Sequence, residues 1–190
     1  MKKANLLKDI FIPVFSLFVI CIVFTLLLGL TNKATADKIK ILNEKAEQEA
    51  RTKVLSVADD FSEQKEKDGI VYFEGYDKNG ETVGYIFPEE AKGYGGTIYM
   101  TVGIGTNGKV TGVEITELSE TAGLGMNAKN DWFRDQFKGR SGEIGVAKNN
   151  PGENQIQALT GATITSKAVT SGVNKALESY NKLTGGGNNG

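Results

Sequence analysis

IVYFEGYDKNGETVGYIF, Ile70 to Phe87, decides the fold class. Two runs rich in β-branched and aromatic residues, Ile70 to Tyr76 and Glu81 to Phe87, flank Asp77-Lys78-Asn79-Gly80, which is hairpin-turn chemistry. The pattern repeats downstream. Gly95 to Ile104 and Lys109 to Thr116 form a second pair around Gly105-Thr106-Asn107-Gly108. In the last strand Thr111, Val113 and Ile115 alternate with Val110, Gly112, Glu114 and Thr116, which suits a half-buried antiparallel strand.

Outward from this sheet the signals turn helical. Asp131 to Phe137 reads as one or two helical turns, with Trp132, Phe133 and Phe137 sharing a buried side. Ser141 to Glu153 is polar and rich in Gly and Asn, so loop and a short strand are expected. Ser166 to Lys182 places Val169, Val173, Ala176, Leu177 and Tyr180 on one helical face. Before the sheet, Ile39, Leu42, Ala46, Ala50, Val54 and Val57 recur at helical spacing through Lys33 to about Ser62. The expected class is α+β, an antiparallel sheet packed by helices.

The N-terminus is of another kind. Ile10 to Asn32 carries no charge and is mostly Ile, Leu, Val and Phe, long enough as a helix to cross the ~30 Å of bilayer hydrocarbon. Pro13 is expected in the first helical turn, where a missing N–H costs nothing. Lys2, Lys3 and Lys8, with only Asp9 against them, put the N-terminus in the cytoplasm and the remainder outside. Ala34-Thr35-Ala36 offers small residues at signal-peptidase spacing, but the apolar run exceeds a signal h-region of about 7–15 residues, so a retained single span is expected.

Composition narrows the chemistry. The 190 residues include no His and one Cys, and the net charge is -1. Nucleophilic triads that need His, and zinc sites that use it, are excluded. Cys21 lies in the apolar run, where a small packing role or a ligand or relay role shared with another subunit are the alternatives. No field suggests a nucleic-acid partner. There is no dinucleotide fingerprint, no Cys cluster, and no charge within the span.

Two segments carry candidate site residues. Thr160-Gly161-Ala162-Thr163-Ile164-Thr165-Ser166 reads as a helix start: Thr165 or Ser166 can cap, Gly161 and Ala162 leave the backbone open, and the helix's positive end suits an anion. A simple cap with small neighbours explains the same residues. Glu120-Thr121-Ala122-Gly123-Leu124-Gly125-Met126 is either an ordinary Gly-rich turn or a flat wall, with Leu124 and Met126 as apolar contacts and Thr121 as a hydrogen-bond partner. Glu120 can also serve structurally by pairing with a backbone N–H. Tyr94, with Gly93, Gly95 and Gly96, fits a strand-entry turn or the edge of a site, and Trp132 is expected in the core.

The TGAT run opening a helix near the C-terminus resembles the flavinylation signature of FMN-binding domains in bacterial redox-driven ion pumps. These include the G subunit of the Rnf complex and the C subunit of the sodium-pumping NADH:quinone reductase. Gly93 to Gly96, the Glu-Thr-x-Gly-Leu-Gly loop at Glu120 to Gly125, the segment from Trp132 to Gly139 and the N-terminal span resemble the family in the same order, and the short length and arrangement are closer to the Rnf G subunit than to the longer sodium-pump subunit. The resemblance implies that a flavin transferase joins FMN through its phosphate to the Thr163 hydroxyl, with Thr165 as the near alternative. Thr160, Gly161 and Ala162 would lie beside it, and Glu120, Thr121, Gly123, Leu124 and Gly125 along the ring. Gln157 stands where the signature often has Asp, and Ala122 where the loop often has Pro.

On this basis 1–9 is a cytoplasmic N-terminus, 10–32 the membrane helix, 33–65 a connecting helix, 66–183 an extracytoplasmic FMN-binding domain and 184–190 a flexible tail. The implied role is an electron-transfer subunit of an ion-translocating ferredoxin:NAD oxidoreductase, without a complete active site of its own, whose partners are the other Rnf membrane subunits. A stand-alone extracytoplasmic flavoprotein and a cofactor-free tethered binding module are the alternatives.

Overall fold

The computed structural model describes residues 3–185. Lys2 and the tail from 186 onward lie outside them, as do the side chains of Lys3, Lys8 and Asp9 on which the lysine bias rests. The chain divides into two units, Met1–Lys45 and Ala46–Gly190. The first is helix throughout its described length, the opening part of α1 (Lys3–Val54). Its segment Ile10–Ile39 is long and apolar enough to cross a membrane, with large apolar side chains such as Phe11 and Leu28 fully out of any protein core. Because α1 begins at Lys3, Pro13 sits inside the helix rather than in its first turn, and it removes one i→i−4 bond there.

The second unit is the α+β domain. After the end of α1 come β1 (Asp60–Phe61), β2 (Lys65–Lys67), β3 (Ile70–Tyr76), β4 (Thr82–Lys92), β5 (Thr97–Gly105) and β6 (Val110–Glu117). They form one antiparallel sheet in the order β1-β3-β4-β5-β6, with β2 also on β3. Both expected hairpins are present. Asp77 closes the first turn, its Oδ1 accepting from the Asn79 and Glu81 N–H groups at 2.9 and 2.8 Å.

The connecting helix ends at Val54 instead of reaching residue 65. Asp60 and Phe61 pair with Tyr76 and Gly75, and Lys65 to Lys67 with Tyr72 to Ile70, so the open edge of β3 captures this segment despite its helical spacing. Of the expected stripe, Ala50 and Val54 are buried, whereas Val57 is 62% exposed.

What seats the end of α1 is a set of glycines on adjacent strands. Gly103 of β5 faces Gly112 of β6. A Cβ at Gly103 would stand 2.4 Å from the Val54 carbonyl oxygen, and one at Gly112 would stand 2.9 Å from Val54 Cα. With no side chain there, the helix backbone rests on the sheet, and Thr111 Oγ1 donates to the Val54 carbonyl at 2.5 Å. Val54 and Leu55 then bury with Phe73 and Ile86 as a small second core. Register shifts interrupt the β5–β6 pairing between Gly103 and Ile104. The simple alternation therefore fails: Val110, Val113 and Ile115 all enter the main core, while Thr111 is turned to the end of α1.

The main core lies against α3 (Thr163–Thr184). Val169, Val173, Ala176, Leu177 and Tyr180 are all buried there, against Phe87, Met100, Val102 and Ile104. Burial of each larger aliphatic side chain contributes roughly 1.5–3 kcal/mol. Tyr180 packs edge-on to Tyr85 with ring centroids 5.7 Å apart, and its hydroxyl donates to the Thr106 carbonyl in the β5–β6 turn at 2.8 Å. Glu89 of β4, with a side chain only 6% exposed, receives Lys175 of α3 at 2.9 Å.

Between β6 and α3 lie the 3-10 turn Gly125–Lys129, the short α2 (Asp131–Arg134), a second 3-10 turn Asp135–Phe137, and a parallel pair of β7 (Gly145–Ala147) with β8 (Gln155–Gln157). Phe133 and Phe137 are fully buried, but Trp132 is 55% exposed, contrary to its expected core position. A helix of one turn followed by a 3-10 turn presents only two of three neighbouring aromatics inward; Trp132 covers the edge of Phe133 from outside, at 6.0 Å.

Two outcomes test this packing. Gly103→Val sets a branched side chain against the Val54 carbonyl and should cost about 2–3 kcal/mol in urea unfolding followed by circular dichroism. Burial pushes the Glu89 carboxyl up and Lys175 opposes that. Native Glu89 thus holds its proton more tightly than the unfolded chain, and stability falls as pH rises from the ordinary carboxylate range through the native value. Lys175→Met removes the opposing charge and should match the parent near pH 4 but fall about 1–2 kcal/mol below it at pH 7. An equal loss at both pH values would contradict this assignment.

Candidate functional site

α3 begins at Thr163, three residues earlier than its apolar stripe indicates, and this changes the roles of its hydroxyls. Neither Thr165 nor Ser166 caps the helix. The residue before the helix is Ala162, and no side chain caps it. Ser166 is fully buried; its Oγ accepts from the Leu159 N–H at 2.9 Å and donates to the Ala162 carbonyl at 3.0 Å. It braces the turn from Leu159 to Ala162, in which Gly161 takes a left-handed φ of 74°. Thr165 is 1% exposed and donates its hydroxyl proton to Glu120 Oε2 at 3.0 Å. Thr163 is left half-buried at the first helical position, at a helix end whose leading N–H groups point outward and favour an anion.

Glu120 follows the end of β6 and reaches in two directions. Its Oε2 receives Thr165, and its Oε1 accepts from the Tyr94 and Gly95 N–H groups at 2.7 and 3.2 Å. The structural reading of this carboxylate is therefore realised. The nearby glycines are explained by it: a Cβ at Gly93 would lie 2.1 Å from Glu120 Oε1, and one at Gly125 would lie 2.6 Å from Glu120 Oε2 and 2.7 Å from Thr165 Oγ1. Gly125 is buried beneath the site and leaves room for the carboxylate.

Above this knot is a cavity of ≈ 520 Å³, within the range of small-molecule sites. Glu120, Thr121, Leu124 and Gly125 line one side, and Gly161, Ala162, Thr163 and Thr165 the other, so two segments some forty residues apart meet here. Tyr94 and Ile164 complete the wall. Thr160 and Gly123, also expected here, are exposed and do not line it, nor does Met126. Ile164 is the lining residue that sequence reasoning missed. Its signal was a large apolar side chain among hydroxyls, and it is 55% exposed. Tyr94 at 72% and Leu124 at 42% exposure add apolar surface at the rim. Gln157 is exposed, its backbone fixed by Gln136, whose Oε1 accepts from the Gln157 N–H at 2.7 Å. A second groove of ≈ 320 Å³ lies beside Arg51, Phe73 and Glu90, and no expected site residue lines it.

The arrangement fits FMN by its own chemistry. It offers a half-buried threonine at an uncapped helix start for a phosphate, and a cavity in which Leu124, Ile164 and Tyr94 give apolar surface for a flat ring.

Comparison with known proteins agrees. Residues 93–178 match the FMN-binding domain family, a range containing every residue lining the cavity. The chain is 41% identical over 187 residues to the G subunit of the Na(+)-translocating ferredoxin:NAD(+) oxidoreductase complex of Acetobacterium woodii, covering 88% of this chain and 90% of that protein. It is 47% identical over 110 residues to the proton-translocating counterpart of Clostridium ljungdahlii, covering 57% of this chain and 60% of that protein. Among solved structures, NqrC of Shewanella oneidensis shares the fold, with a TM-score of 0.52 and 20% identity over 68% of this chain and 73% of that one. With this likeness along nearly its whole length, the chain belongs to the family of Rnf complex G subunits, a family built on an FMN-binding domain.

Proposed function

We propose that this chain is the membrane-held flavin carrier of an ion-translocating ferredoxin:NAD oxidoreductase, with FMN joined through its phosphate to Thr163 Oγ1. The observation that carries the reading is the pairing of one accessible and one locked threonine on the same helical turn: Thr163 is half-buried beside the cavity, while Thr165 is 1% exposed and bonded to Glu120. A transferase can reach the first hydroxyl and not the second.

Attachment at Thr163 forms an O–P bond and breaks the pyrophosphate bond of an activated flavin dinucleotide. The nucleoside monophosphate leaves, and the hydroxyl proton passes to a base or to solvent. The helix end stabilises the remaining phosphodiester charge. Leu124, Ile164 and Tyr94 supply apolar surface for the ring, and Thr121 a hydroxyl at its edge. The bound flavin supplies electron transfer, and the chain supplies its placement. The electron donor and acceptor belong to neighbouring membrane subunits, because this sequence holds no Cys cluster or dinucleotide fingerprint. Ile10–Ile39 would hold the chain in the membrane, with the N-terminal lysines on the cytoplasmic side and the domain outside.

With a flavin transferase present, Thr163→Val should reduce in-gel flavin fluorescence of the denatured chain to background, and Thr160→Val should leave it unchanged. Bright fluorescence in Thr163→Val would overturn the assignment. Protease added to the outside of intact spheroplasts should digest the domain after residue 46; a domain protected until the membrane is opened would reverse the orientation.

A further inference from the structure

We propose that Glu120 is the positioning residue for modification of Thr163, acting as the clamp that fixes which face of the first turn of α3 meets the transferase. This rests on the reading that FMN is attached at this cavity. The carboxylate is half-buried and makes three hydrogen bonds, to the Tyr94 and Gly95 N–H groups and to the Thr165 hydroxyl. All three donors lie outside its own segment, 26, 25 and 45 residues away in sequence.

The clamp is built into the surroundings. Gly93 and Gly125 have no side chain because Glu120 occupies the space a Cβ would take. Gly161 is similarly tight, since a Cβ there would come 3.0 Å from Leu124 Cδ2, so the loop after Glu120 also packs on the turn before Thr163. Charge-assisted bonds of this kind are about twice as strong as neutral ones. With Thr165 held inward, the helical rotation of about 100° per residue carries Thr163 to the outer side of the same turn. The helix has no side-chain cap of its own, so Glu120, together with the Ser166 brace, does the fastening a cap would otherwise do. In the transfer itself Glu120 touches neither the bond formed, Thr163 Oγ1 to phosphorus, nor the pyrophosphate bond broken; it acts only through Thr165 and the backbone.

The full-length chain in detergent, isolated without flavin and then incubated with a flavin transferase and flavin dinucleotide, provides the test. Initial rates of in-gel fluorescence are compared for the parent, Glu120→Ala, Glu120→Gln and Thr165→Val, and hydrogen exchange is measured on the flavin-free proteins. Glu120→Ala removes all three bonds; the single charge-assisted one that reaches α3 sets the expected slowing of labelling at about tenfold. Amide exchange of Ala162 and Ser166, whose N–H groups donate to the Leu159 and Ala162 carbonyls, should rise by a similar factor, with Val173 to Leu177 unchanged. Thr165→Val, which cuts only the α3 arm, should slow labelling in the same way. Glu120→Gln, whose amide can accept from Tyr94 and donate to Thr165, should restore most of the rate.

Labelling of Glu120→Ala at the parent rate would overturn the proposal, as would slowing accompanied by faster exchange throughout the domain. If the parent itself takes no flavin on the segment Gln155 to Lys167, the attachment reading fails, and the exchange comparison alone still shows whether Glu120 fastens this turn.

Discussion

A single carboxylate, Glu120, ties the first turn of α3 to the adjoining ends of β5 and β6. It joins the entry to β5, the end of β6 and the first turn of α3. Each is separately supported: the β5–β6 pairing sets the position of residue 120, and the core under α3 sets the axis of the helix. At the helix's first turn the Thr165 hydroxyl adds a tie to this carboxylate beside the buried Ser166 brace, and a Cβ at Gly93 or Gly125 would collide with it. The cavity above is a consequence of the knot below it.

The other face of the sheet follows a related rule on a larger scale. There the backbone end of α1 approaches across Gly103 and Gly112, and a threonine hydroxyl bonds the last helical carbonyl. In both places the sequence leaves out side chains so that a polar group or a helix end can seat on the backbone, which large side chains would prevent. Gly93, Gly103, Gly112 and Gly125 are thus spent on close approach.

The local patterns were legible in sequence. Both hairpins, the apolar face of α3 and the uncharged N-terminal run depend on neighbours within one element, and periodicity reports them directly. Several of the misreadings involve partners far away in the chain. The helix ends at Val54 because β3 has an edge to fill, and the β6 alternation breaks at a bulge opposite Gly103. Trp132 is a local case, because one helical turn and the 3-10 turn after it bury Phe133 and Phe137 and leave Trp132 outside. At the site, eight of the ten expected residues line one cavity, yet Thr165 and Ser166 do different work from the capping expected of them. Glu120 and Thr165 are 45 residues apart, and no spacing rule connects them.

The proposed function places the flavin of this domain on one hydroxyl, Thr163. Mass spectrometry of the peptide containing Gln155 to Lys167, from chain produced with a flavin transferase, tests it most directly. The expected result is a mass increase of one FMN less one water, with fragment ions placing the addition on Thr163. An unmodified peptide from a flavin-containing protein, or an addition on Thr160 or Thr165, would contradict it.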